Sequence, residues 1–152
     1  MATSNESLAP SESASRTGSV PARELAACAL DAAADRKGRD LTLLDLREVS
    51  SVADFFVLAT GDSALHIRAI VRAVEEHLEE TCDESPWRNE GREHRKWVVL
   101  DYVTMVVHVF TEEKRDYYDL ERLWGDAPSE TFSDEADATE AELLERLDAR
   151  EE

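Results

Sequence analysis

Positive charge, cysteine and long apolar runs are all scarce in this sequence, and each scarcity excludes something. Lys and Arg number 17 against 35 Asp and Glu in 152 residues, a formal net charge of -18. A field of that sign repels phosphate backbones at long range, so little or no direct nucleic-acid binding is expected and a basic protein partner is favoured. The two cysteines, Cys28 and Cys82, lie far apart, with no Cys-x-x-Cys spacing and no histidine at finger spacing. That leaves neither a disulfide framework nor a zinc signature, and two reduced, mostly buried thiols are expected. No stretch reaches the roughly 18 to 20 apolar residues that cross a bilayer. The N-terminal "MATSNESLAPSESASRTGS" lacks the apolar core of a signal peptide. A soluble, cytoplasmic protein with no membrane partner follows as the expectation.

What is present is unevenly placed. Residues 1–20 are Ser-rich and poor in large apolar side chains, so they form a head that cannot offset its own ordering entropy and is expected to be disordered. Residues 129–152 carry 10 acidic against 2 basic side chains and read as an acidic tail, disordered or with a short helix at "TEAELLERL". Residues 21–128 are long enough for one domain with a real core and too short for two.

Within that domain, "PARELAACALDAAADRKG" sets Leu25, Cys28, Ala29 and Ala32 on one face, with Pro21 near the start and Gly38 as a stop, which predicts a helix. "LTLLDLREV" and "DFFVLATG" read as two buried strands. Asp62 or Ser63 then offers an N-cap oxygen to "SALHIRAIVRAVEEHLEE", whose Leu65, Ala69, Val74 and Leu78 form a broad apolar stripe. "SPWRNEG" contains Pro86 and is an edge strand at best. "WVVLDYVTMVVHVF" predicts a hairpin turning at Tyr102 and Val103, with Trp97 opposite His108 and Val99 opposite Val106 on one face, and Val98, Leu100, Val107 and Val109 on the other. Both faces are apolar, so one meets the helices and the other must be covered by something. "TEEKRDYYDLERLW" reads as a closing helix with Tyr117, Leu120 and Trp124 on one side. Mixed α/β packing about one central sheet is expected.

Candidate chemistry is thin. "TGDS" between a strand and a helix is compatible with a phosphate-receiving loop, and also with an ordinary capped helix start. A nucleotidyltransferase needs converging carboxylates for its metal ions, but Asp45 is followed two residues on by Arg47 and Asp101 by Val103. His66, His77, His94 and His108 are scattered without Glu or Cys at ligand spacing, so no metal site is expected. Ser63 has no base in register, and no GxSxG elbow is present, so no catalytic residue is assigned. Charge pairs such as Glu112 with Arg115 read as solvated helix faces. His108 reads equally as a core residue or a contact, and Trp97, a residue type more often core than contact, reads as an interface anchor because of its Tyr and charged neighbours.

The blocks "SSVADFFVLATGDSALHIRAIVRAVEEHL", "EG", "WVVLDYVTMVVHVF" and "EKRDYYDLERLW", in that order, closely resemble the ribosomal silencing factor (RsfS, Iojap-related) family over roughly residues 22–126. The resemblance implies a non-enzymatic α/β factor on a degenerate nucleotidyltransferase-like fold, with no cofactor. Its implied partner is the large ribosomal subunit through ribosomal protein uL14, blocking the small subunit and damping translation when nutrients are short. Trp97, Asp101, Tyr102 and His108 match family positions and are the expected contact patch, with Val99 and Val106 adding apolar area and Phe110 able to extend it. Asp54, Gly61 and Ser63 match too and are assigned to turn geometry and capping. On the closing helix, Arg115, Tyr118, Leu120, Glu121 and Trp124 match as well, with packing as the simpler role for the aromatics. One departure stands out: Val103 and Thr104 occupy the turn where the family commonly has Gly-Asp, and a β-branched residue resists positive φ. The alternative function is a nucleotide-binding or nucleotidyltransferase-type enzyme using the TGDS loop. A homodimer of the free factor through the doubly apolar hairpin is a further expectation.

Overall fold

The computed structural model describes residues 20–132. The head and nearly all of the tail, with its expected helix, lie outside the described residues.

The elements in chain order are α1 (Ala22–Asp35), β1 (Arg39–Asp45), β2 (Phe55–Thr60), α2 (Ala64–Cys82), β3 (Arg88–Glu90), β4 (Trp97–Asp101), β5 (Met105–Phe110), α3 (Glu112–Tyr118), α4 (Leu120–Leu123) and β6 (Ser129–Phe132). The strands form one mixed sheet in the order β3-β4-β5-β2-β1-β6. Its central pair, β2 with β5, is parallel, as expected of strands joined through a helical crossover. The pairs on either side are antiparallel.

Helices α1 and α2 cover one face. Alanines let α1 sit close to both α2 and the sheet, so it buries Leu25, Cys28 and Leu30 and nearly every alanine between them, more than the stripe the sequence suggests. It ends at Asp35, before Gly38, with Lys37 at φ 63 and the Gly38 and Lys37 amides donating to the Ala33 and Ala34 carbonyls. This is a Schellman stop in which lysine takes the left-handed position usually given to glycine. Ser63 caps α2, its hydroxyl accepting from His66 N. Beneath the helices lie Leu43, Val57, Leu100, Val107 and Val109.

The second face carries Leu44, Phe56, Leu58, Val106 and Phe110, covered by Leu46 and Ala53 of the β1–β2 connection and by Leu120 of α4. Three expectations are corrected here. The closing helix is two short helices, because Asp119 adopts φ 49 and breaks the ladder, leaving Tyr117 exposed. Residues 129–132 do not belong to an appendage but pair with β1, so the sheet runs past position 128. Finally, Trp97 pairs with Phe110, Val99 with His108 and Asp101 with Val106, so the hairpin register is displaced by two residues. A displacement of two preserves which side chains share a face.

Candidate functional site

The hairpin turn lies at Val103 and Thr104, closed by Tyr102 N donating to Met105 O at 2.9 Å. Val103 holds φ 74, and Thr104 N donates to Tyr102 O, a tight γ-turn that a β-branched residue adopts only under strain. Asp101 steadies it: Oδ1 accepts from Val103 N at 2.8 Å, and Oδ2 lies 3.5 Å from Arg88 of the edge strand. Asp101 thus organises the turn and clips β3 to β4.

His108 sits in the middle of the second face, 7% exposed, its ring 4.6 Å from that of Phe56. Trp97 Nε1–H donates to His108 Nδ1 at 3.1 Å, which places the neutral ring's proton on Nε2. That Nε2 is buried with no partner among the described residues. Burial lowers the His108 pKa from 6.5 to about 4, so the ring is neutral at pH 7.

The six expected contact residues therefore separate. Trp97, Val99 and Asp101 on β4 are half-buried and reach the surface. Val106 and His108, one strand further in, lie beneath the cover formed by the chain's own connection and short helices. Tyr102 is 5% exposed and packs on the opposite, helix-covered side. There burial pushes its hydroxyl pKa up, with Glu75 adding to the effect, and the hydroxyl has no partner among the described residues. Alternation along β4, continued one residue past Asp101, puts Tyr102 with Val98 and Leu100 and away from Trp97 and Asp101, so grouping it with them in one patch is corrected.

Two features of this face go unread in the sequence. Arg115 is buried: its guanidinium donates to Thr60 Oγ1 and Thr42 Oγ1 at 2.8 Å each and to Glu121 at 2.6 Å, and lies over the Phe110 ring. It pins α3 to the sheet, while Glu112, its expected partner, lies 3.5 Å from Arg39. The second feature is an aromatic ridge. Trp97 and Tyr118 have ring centroids 4.7 Å apart, Tyr118 and Tyr117 4.9 Å. Tyr118 is 46% and Tyr117 78% exposed, and Leu123 nearby in sequence is exposed as well. The sequence signal was the "YYD" triplet, in which an αL-tolerant Asp follows two tyrosines, but a continuous helix hides its consequence.

The TGDS loop is already occupied by its own side chains. Gly61 N donates to Phe110 O, Asp62 N to His66 Nδ1 and His66 N to Ser63 Oγ, while His66 Nε2 bonds the Arg36 carbonyl. A Cβ on Gly61 would lie 2.6 Å from Ile67 Cγ1, so glycine is required there for packing. Asp62 adds a carboxylate at the loop, bonded to Arg39 at 2.6 Å. Asp45 is held by Arg47 through two hydrogen bonds to its guanidinium. A phosphate entering here would displace the capping bonds and meet a carboxylate.

Comparison with known proteins agrees with this picture. The family model described as "Ribosomal silencing factor during starvation" matches residues 19–151. Ribosomal silencing factor RsfS of Halalkalibacterium halodurans is 38% identical over 107 residues, covering 70% of this chain and 91% of that protein. The mouse protein named mitochondrial assembly of ribosomal large subunit protein 1 is 30% identical over 110 residues, covering 70% of this chain and 46% of its own length. A crystal structure from Chromobacterium violaceum superposes with a TM-score of 0.67 at 36% identity, covering 70% of this chain and 88% of that one. The matched span, the shared fold and the identity agree: this chain belongs to the ribosomal silencing factor family.

Proposed function

We propose that this protein is a binding factor, not an enzyme, that docks on the large ribosomal subunit through ribosomal protein uL14 and sterically prevents the small subunit from joining. The observation that carries the reading is the ridge of Trp97, Tyr118 and Tyr117 beside half-exposed Val99, an apolar strip left at the rim of a sheet face whose centre is sealed. Aromatic anchors flanked by charged groups are the composition of interface hot spots. The net charge of -18 favours a basic ribosomal protein as partner and speeds the encounter. The reading puts the protein in the cytoplasm, where subunits meet. Of the expected patch it retains Trp97, Val99 and Asp101 as direct contacts, and gives His108 and Val106 the task of supporting Trp97 and Val99 from below. Two free copies pairing through the same ridge would compete with the subunit.

The test is co-sedimentation with purified large subunits, together with subunit joining on sucrose gradients. Trp97→Ala and Tyr118→Ala are expected to lose both activities while circular dichroism remains native. Retained binding in both variants would discard the ridge as the docking surface.

A further inference from the structure

On the helix-covered side of β4, opposite the ridge, a cleft of about 340 Å³ opens between α2 and the β3–β4 connection. Four arginines line it: Arg68 and Arg72 from α2, Arg92 and Arg95 from the connection. Glu75 is the only carboxylate among the described residues lining it, and buried Val71 and Val98 complete the wall. Four guanidinium groups against one carboxylate give the cleft a local charge of +3, within a chain whose net charge is -18.

This concentration works against the fold. Arg68 and Arg72 are four residues apart on one helix, where like charges repel. Arg95 holds φ 54, left-handed backbone that a long side chain seldom adopts, and its N–H donates to Gly91 O at 2.9 Å. Gly91 itself, at φ 88, packs so closely that a Cβ would collide with the Trp97 carbonyl. The connection is thus a tight knot that sets Arg92 and Arg95 against α2. Arg92 is fixed further by Glu75 and by Asn89 Oδ1 at 2.8 Å. A fixed guanidinium loses little freedom on meeting a ligand.

We propose that this cleft is a binding site for a compact anion of linked phosphates, of the kind found in pyrophosphate or in the phosphate tail of a nucleotide. Four planar forks lining one cleft match the several oxygens of linked phosphates and supply more donors than one carboxylate accepts. Size selects the ligand. A short anion sits wholly within the roughly 8 Å Debye length of the arginines at physiological salt, whereas an extended polyanion also meets the chain's negative field. The site lies on the other side of β4 from the ridge and stands independently of ribosome docking. It differs from the TGDS loop, whose amides serve the fold.

The experiment is calorimetric titration of the full chain with inorganic triphosphate at physiological salt. Saturable one-to-one binding is expected, weakened at least tenfold by Arg72→Gln with Arg95→Gln and unaffected by Trp97→Ala. Far-UV circular dichroism establishes that the variants are folded, and amide shifts at residues 68–75 and 91–98 on titration locate the ligand. The proposal is overturned by absent saturable heat, by equal affinity in the arginine variant, or by citrate or a single-stranded oligoribonucleotide binding as tightly as triphosphate. Co-sedimentation with large subunits is read separately, so failure here leaves the docking ridge standing, and the reverse also holds.

Discussion

The buried imidazole of His108 makes stability depend on pH in a window that few other groups share. In the unfolded chain it takes up a proton near 6.5, whereas in the folded chain burial holds it neutral down to about 4. The unfolded state therefore binds the proton first. Stability is complete above pH 6.5, falls as pH drops towards 4 and levels off below that. At ~1.4 kcal/mol per pH unit, the loss attributable to this one ring reaches about 2 to 3 kcal/mol at pH 4.5. His108→Leu removes the titrating group and the partnerless Nε2 while filling much of the same volume. The half-buried Trp97 Nε1 can turn to water instead. At pH 7.5 the variant is expected to lie within about 1 kcal/mol of the parent, and at pH 4.5 to exceed it by about 2 to 3 kcal/mol. Urea unfolding followed by far-UV circular dichroism across pH 4.5 to 7.5 measures both proteins, and carboxylates common to the two cancel in the difference. Parallel stability curves, or a His108 resonance titrating near 6.5 in the native protein, would refute the reasoning. The same protonation, at Nδ1, would break the Trp97 bond, so large-subunit binding should weaken as pH falls towards 4.

Four further outcomes follow from the geometry. Val103→Gly relieves a β-branched residue at φ 74 and should stabilise the protein by about 1 kcal/mol in urea unfolding, with no change in ribosome binding. Arg115→Met strips Thr42, Thr60 and Glu121 of their shared donor. It should destabilise by about 2 kcal/mol, with Glu121 partly hydrated and so softening the loss, and protease sensitivity should rise between residues 111 and 127. Tyr102→Ala empties a helix-side core position and should lower the thermal midpoint by several degrees, whereas Trp97→Ala should lower it less while abolishing binding. Cys28 and Cys82 Sγ lie 3.7 Å apart, so treatment with diamide should join them within one chain, a loss of two hydrogens by mass spectrometry. Failure to crosslink in the native state would place α1 and α2 differently from the packing described.

What the sequence discloses depends on the range of the interaction. Alternation along β4 and β5 identifies the two hairpin faces correctly even though the register is displaced, because a two-residue slip returns every side chain to its own side. Caps and strand edges are local as well: Ser63 receives His66 N as its position suggests, and Pro86 precedes an exposed edge strand. What covers the second face is not local. Arg115 looks like a solvated charge until the fold brings Thr42, Thr60 and Glu121 round it from three other segments. That covering seals His108 and Val106, and the break at Asp119 turns the tyrosines outward. Residues Cys28 and Cys82 meet only because α1 and α2 pack side by side across 54 positions of chain.

Placing the docking strip at the rim rather than the centre of the sheet reconciles two demands. An apolar sheet face left wholly open invites self-association, and a long bare edge strand templates pairing with other chains. Here α3 and α4 close the centre, and the edge strand on this side, β3, is three residues long and exposed at Arg88, Asn89 and Glu90, a short polar edge. The strip on β4 is one strand in, its backbone paired with β5 from Trp97 to Asp101 and with β3 from Val99 to Asp101. Its side chains are offered while its hydrogen-bonding groups are not. A partner must then be recognised by the rings of Trp97, Tyr118 and Tyr117 and by charge, and strand addition at Val99–Asp101 is closed to it. Deleting the Arg88–Asp101 clip with Arg88→Ala should therefore loosen β3 and raise concentration-dependent association in sedimentation velocity, while Arg88→Lys should leave it low. Equal association in both variants would show that the edge, and not its charge pair, governs solubility.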